Sequence, residues 1–249
     1  MKALLLSSAL LMAPVAALAF DLNAMTDAER EAFGREVRSY LLENPQVLRE
    51  VIEALEVAEQ AQQAEADETM VTANEADLFN DGFSWVGGNP EGDVTIVEFI
   101  DYRCGFCRRA HPEVSELIES DGNIRLIVKE FPILGEQSLV ASRFAIATLQ
   151  TEGNDAYKAA HDHLIGVDTE LNDATLREIA EEIGIDADKV IAAMEAPEVD
   201  GLIAQNRALA QRMQINGTPT FVMAGQLVRG YLPLDGMRQL VAEARQATE

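Results

Sequence analysis

The strongest constraint in this chain is a run of β-branched residues that ends at its only two cysteines. Val94-Thr95-Ile96-Val97-Glu98-Phe99-Ile100 is almost continuously apolar, and Cys104 and Cys107 follow within seven residues. Such a run reads as a strand covered on both faces, which requires helices on either side of a sheet. The pattern after Cys104 is helical to about Ser120. Ile124 to Val128 reads as a second buried strand, and Gln137 to about Met213 as helices with turns near Gly153, Gly166, Gly184 and Pro197. Gly217 to Val222 starts a third strand, Gly225 turns it, Leu227 to Arg229 pairs back, and Leu234 to Ala247 closes as a helix. The expected class is α/β, with a block of helices inserted between strands. Two cysteines exclude a multi-disulfide scaffold and a closed four-cysteine zinc site.

The first nineteen residues read as an address. Lys2 precedes an apolar stretch broken only by Ser7 and Ser8, and Ala17-Leu18-Ala19 is a small-x-small cleavage site. The run is too short to span a membrane. Cleavage after Ala19 predicts an exported, soluble chain in a compartment that permits disulfide chemistry, the periplasm. With 43 acidic against 19 basic residues, the net charge of -24 argues against a nucleic-acid partner and against adhesion to an anionic membrane.

Residues 26 to about 74 carry a helical pattern. Thr26 and Glu29 form a capping box, and Phe33, Val37, Tyr40, Leu41, Val47, Leu48, Val51, Ile52 and Leu55 recur in steps of three and four, broken at Asn44-Pro45. From Glu59 to Asp77 large apolar side chains almost vanish, which predicts a polar helical or flexible linker. An apolar stripe without a domain of its own needs a partner. The expected division is a signal peptide (1–19), an N-terminal helical self-association segment with its linker (20–78) and a main domain (79–249), with the helical insertion at about 137–212.

The chemistry concentrates at Cys104-Gly105-Phe106-Cys107. At a helix N-terminus, unpaired amides and the helix dipole favour a Cys104 thiolate, and Arg103, Arg108 and Arg109 add positive charge. A lowered pKa makes Cys104 the attacking thiol, with Cys107 one turn inside. Glu98, an acid in an apolar strand, is expected to accept the Cys107 proton. Pro112 should kink the following helix. A cis bond at Thr218-Pro219 would leave the Thr218 backbone free to pair with an extended substrate. His111 reads as a partly exposed helix residue, His161 and His163 as surface residues, and Trp85 as core, so no metal is assigned. Two blander readings compete: an inert structural disulfide, and a copper(I) site on the same thiols.

Val97-Glu98-Phe99-Ile100-Asp101-Tyr102-Arg103-Cys104-Gly105-Phe106-Cys107, with Pro112 and Gly217-Thr218-Pro219-Thr220-Phe221, resembles the DsbA-like branch of the thioredoxin superfamily. Lys129 to Gly135 is similar to the segment leading into that branch's inserted helices. Val37 to Leu48 resembles the N-terminal region of the suppressor-of-copper-sensitivity ScsC group. The resemblance implies a thioredoxin fold with a helical insertion and a thiol-disulfide oxidoreductase without a cofactor. By position it implies Cys104 as nucleophile, Cys107 as resolving thiol, Pro219 as the facing cis-proline, and Thr218 and Phe106 as substrate contacts. It also implies a homo-oligomer through residues 20–78, unfolded or mispaired exported proteins as substrates, and a membrane redox partner. The Gly-Phe dipeptide departs from the Pro-His of the oxidase archetype. That departure points toward isomerase or reductase, with oxidase and copper tolerance as the alternatives.

Overall fold

The computed structural model describes residues 24–247, so the leader and its cleavage site lie outside the described residues. The described chain divides into two compact units, one ending at Ala58 and the other starting at Glu59.

The first unit holds helix α1 (Asp27–Glu43) and the start of α2 (Gln46–Ala73). The Thr26–Glu29 capping box is formed: Glu29 N–H donates to Thr26 Oγ1 at 3.4 Å, and Thr26 N–H to Glu29 Oε2 at 2.8 Å. The break falls at Asn44-Pro45, as the proline requires. No residue of α1 is buried. Most of its apolar stripe and of that of early α2 is exposed, from 40% at Val37 to 59% at Val51, with Leu41 and Val47 half-buried.

In the second unit, α2 continues to Ala73 and is followed by α3 (Glu75–Phe79), β1 (Trp85–Gly88), β2 (Val94–Ile100), α4 (Gly105–Asp121) and β3 (Ile124–Glu130). Helices α5 (Glu136–Glu152), α6 (Asn154–Gly166), α7 (Asp173–Glu182), α8 (Ala187–Met194) and α9 (Pro197–Arg212) come next. Strands β4 (Thr220–Met223) and β5 (Gln226–Arg229) and helix α10 (Leu234–Ala247) complete it. The sheet order is β1-β3-β2-β4-β5; β2 and β3 are parallel and the other pairs antiparallel. Strand β1 had no clear sequence signal, because it is short and contains Gly87 and Gly88. The β4–β5 turn places Ala224 and Gly225 at φ 52° and 72°, the left-handed pair a two-residue hairpin needs.

Strand alternation divides the core. Ile96 and Ile100 of β2 join Leu126 and Val128 of β3 and the inner face of α4 in one cluster. Val97, Phe99 and Ile127 join Leu78, Leu209 and Met213 in another. By the same period of two, Glu98 and Glu130 face the α4 side and Lys129 the opposite side. There Lys129 Nζ donates to Asp81 Oδ2 and to the Asp77 carbonyl, at 2.5 and 2.7 Å, so its buried charge is neutralised.

The stretch read as a polar linker needs correction. Val71 is buried in the second cluster, and buried Asp67 accepts from both terminal nitrogens of Arg229 at 2.7 and 2.8 Å. Composition hides this docking, because one buried aliphatic residue and two ion pairs, Asp67–Arg229 and Asp77–Arg212, carry it. His161 is likewise buried, at 3% exposure, although two-residue spacing does put His163 on a different face. Trp85 of β1, Tyr102 after β2, His111 of α4 and Tyr157 of its own helix pack around the His161 ring.

Candidate active site

Cys104 is the N-cap of α4, and both cysteines are buried with free thiols. Asp101, at the end of β2, shapes the approach. Its carboxylate accepts from the Arg103 amide at 2.8 Å and from the Ile133 and Leu134 amides at 2.7 and 3.0 Å. The loop before Cys104 is thereby tied to the loop after β3. Thr218-Pro219 is cis, and the Cys104 thiol donates to the Thr218 carbonyl at 3.1 Å. Sequence separates these groups by more than a hundred residues; pairing of β2 with β4 brings them together. Phe106 is 59% exposed at the first turn of the helix.

The two thiols differ sharply. The Cys104 pKa is lowered to about 5, chiefly by a hydrogen bond from Cys107, then by the Thr218 side chain and the Cys107 and Phe106 amides, against the opposing effect of burial. Burial drives the Cys107 thiol far up, helped by its bond to Cys104 and by the nearby charge of Glu98. Burial alone raises Glu98 to about 8.

The arginine expectation is corrected. None of the three guanidinium groups is among the largest contributors to the lowered Cys104 pKa. Arg103 donates to the Val167 and Thr169 carbonyls, Arg108 pairs with Asp168 and donates to the Val167 carbonyl, and Arg109 lies 4.3 Å over the Tyr231 ring. They fasten α4 and its approach to the surrounding structure, while local hydrogen bonds stabilise the thiolate. Alkylation of Cys104 by iodoacetamide should therefore titrate with a midpoint near pH 5. A midpoint near the ordinary thiol value of about 8.5 would contradict this account.

A buried polar node adjoins the site. Glu130 accepts from Tyr102 at 2.8 Å, Tyr157 at 2.6 Å and Ser142 at 2.7 Å, and burial leaves its pKa raised to about 7. The Tyr102 hydroxyl also lies 3.0 Å from His161 Nδ1, and burial pushes His161 down to about 3. Sequence reasoning missed Asp101 and Glu130. Their signal was the one used for Glu98, an acid at an inward position of an apolar strand or at its end.

A sheet with a dithiol at the helix N-terminus and a cis-proline loop against it defines the thioredoxin-type dithiol class. The DSBA-like thioredoxin domain matches residues 95–242, and the copper resistance protein ScsC N-terminal domain matches residues 29–62. The chain belongs to the DSBA-like thioredoxin domain family, with an ScsC-type N-terminal segment. A thioredoxin-like oxidoreductase from Silicibacter pomeroyi is 46% identical, with 70% of this chain and 98% of that one covered at a TM-score of 0.65. Proteus mirabilis ScsC in a compact conformation is 25% identical, covering 88% and 99% at 0.64. The chain spans about a quarter of the length of the curated relatives it matches. One is the Na(+)/H(+) antiporter NhaA 3 of Salinispora tropica, 30% identical over 159 residues, or 64% of this chain and 24% of that protein. Among the described residues, no helix is long and apolar enough to cross a membrane.

Proposed function

We propose that this protein is an exported thiol-disulfide exchange enzyme acting on unfolded or mispaired proteins, with disulfide isomerisation or reduction as its main direction. The observation that carries this reading is the opposite displacement of the two thiols, Cys104 to about 5 and Cys107 upward. The Cys104 thiolate attacks a substrate disulfide; an S–S bond to Cys104 forms and one substrate sulfur leaves as thiolate. In isomerisation, a substrate thiolate then attacks the mixed disulfide and regenerates Cys104. In reduction, the ionised form of Glu98 takes the Cys107 proton and Cys107 attacks Cys104, which releases the second substrate thiolate and oxidises the pair. A membrane redox partner would then return the two electrons.

The direction rests on the uncovered apolar stripe of α1 and early α2, which supports self-association, and on the Gly-Phe dipeptide. One observation favours the oxidase alternative: hydrogen bonds that stabilise the thiolate stabilise the reduced pair, and that strengthens its disulfide as an oxidant. Reactivation of a scrambled-disulfide protein by the reduced chain separates the two. Deleting residues 20–58 should cost most of the reactivation while dithiol oxidation survives. The deletion stops at Ala58 because Val71 and Leu78 belong to the core of the second unit. Oxidation without reactivation would overturn the isomerase direction, and reactivation that survives the deletion would overturn the part given to the N-terminal stripe.

A further inference from the structure

Away from the cysteines, α4 and α6 bring together His111, His161 and Asp162. One ligand atom from each lies within 4.8 Å of the other two. His111 Nε2 sits 3.1 Å from Asp162 Oδ1, and the two histidine rings meet edge to face with centroids 5.1 Å apart. Both histidines border a small cavity of about 60 Å³ shared with Trp85, Glu98 and Lys158. That volume accommodates an ion with a water.

The hydrogen-bond count fixes how His161 presents itself. Tyr102 has one hydroxyl proton and donates it to Glu130 Oε1. With Glu130 ionised, the contact with His161 Nδ1 then has Nδ1–H as the donor and the Tyr102 oxygen as the acceptor. The proton sits on Nδ1, and Nε2 keeps its lone pair, with no hydrogen-bond partner among the described residues. A buried neutral imidazole, oriented through its other nitrogen by a carboxylate-backed hydroxyl, has the outer-shell support of a metal-ligating histidine. Asp162 divides its carboxylate: Oδ1 meets His111 and Oδ2 meets Lys158. A cation can take Oδ1 while Lys158 keeps Oδ2, although the ammonium charge lowers the affinity.

We propose that His111, His161 and Asp162 form a site for a first-row divalent transition-metal ion, with zinc as the reference ion. Two imidazoles and a carboxylate suit zinc, and a further position is left for water. On binding, the proton that His111 Nε2 shares with Asp162 is released.

The test uses the full chain with Cys104 and Cys107 oxidised to a disulfide, so that their thiolates cannot compete. Calorimetric titration with Zn²⁺ should give one equivalent per chain. His111→Ala should weaken binding at least tenfold while far-UV and near-UV circular dichroism stay unchanged. If His111→Ala fails to fold, Asp162→Asn decides, since that side chain is 41% exposed and its loss opens no core. A second readout locates the ion. Trp85 is the only tryptophan, and its ring lies 6.4 Å from His161. Cu²⁺, which follows zinc's ligands with higher affinity, should quench Trp85 fluorescence with saturation at one equivalent, and His111→Ala should abolish that saturable step. Absence of Zn²⁺ binding, or binding and quenching unchanged in the variants, overturns the proposal.

Discussion

Cys104→Ala is expected to abolish disulfide exchange, whereas Cys107→Ala is expected to stall it. With a pKa of about 5, Cys104 is almost wholly thiolate at neutral pH, while an ordinary cysteine is only a few per cent ionised. Alanine at 104 removes the attacking sulfur, so the rate should fall by on the order of a hundredfold or more, to that of free thiols. Alanine at 107 leaves the attack intact and removes the intramolecular resolving thiol. Mixed disulfides of one chain with one client should then accumulate and be visible on non-reducing gels as species that reductant collapses. The same variant carries a second signature. Cys107 is the largest contributor to the lowered Cys104 pKa, so its removal should move the Cys104 alkylation midpoint upward. Trapped adducts together with that shift support the roles given to both cysteines. No adducts, or adducts through Cys107 in a Cys104→Ala chain, would reverse them.

Glu98→Gln is expected to stabilise the protein at alkaline pH and to slow resolution. Glu98 titrates at about 8 in the folded chain, against 4.5 for a free glutamate. The folded state therefore holds a proton that the unfolded state releases between those values. The sign follows from linkage: stability is fully present below pH 4.5, declines as pH rises, and is lost by pH 8 to 9. The displacement corresponds to roughly 3–5 kcal/mol. Glutamine is neutral throughout, so the difference in unfolding free energy between the two chains should be near zero at pH 4.5 and largest near pH 9. Denaturant melts at both pH values check this, and equal differences at both would remove Glu98 from the account. In the reduction assay, Glu98→Gln should slow release of the second substrate thiol without changing the first attack. Glutamine accepts no proton from Cys107.

The sequence disclosed most where one residue type had one physical use. The apolar run before Cys104 placed β2, Pro45 broke the N-terminal helices, and Gly225 marked the hairpin. It disclosed less where function depends on a partner distant in sequence. Thr218 reaches Cys104 only because β4 pairs with β2, and no local pattern encodes that pairing. Three arginines beside two cysteines suggested direct charge stabilisation, yet each has a partner elsewhere, and side-chain direction was the missing information. His161 and His163, two apart, both looked like surface residues, but Trp85, Tyr102 and His111, all distant in sequence, pack around the His161 ring. Asp67 and Val71 show the same limit, since one ion pair and one valine dock a helix that composition reads as solvated.

The Glu130 node also bears on modularity. Two of its three hydroxyl donors, Ser142 and Tyr157, belong to the inserted helices, and Asn206 of α9 donates to the Glu130 carbonyl at 3.1 Å. Its remaining donor, Tyr102, precedes the reactive cysteine by two residues. The insertion is therefore a keystone and not an ornament hung on the sheet. Cutting it out as a cassette, or transplanting one from a relative, would strand a buried carboxylate next to the reaction centre. Recombination within this architecture must carry Tyr102, Glu130, Ser142, Tyr157 and Asn206 as one inherited block.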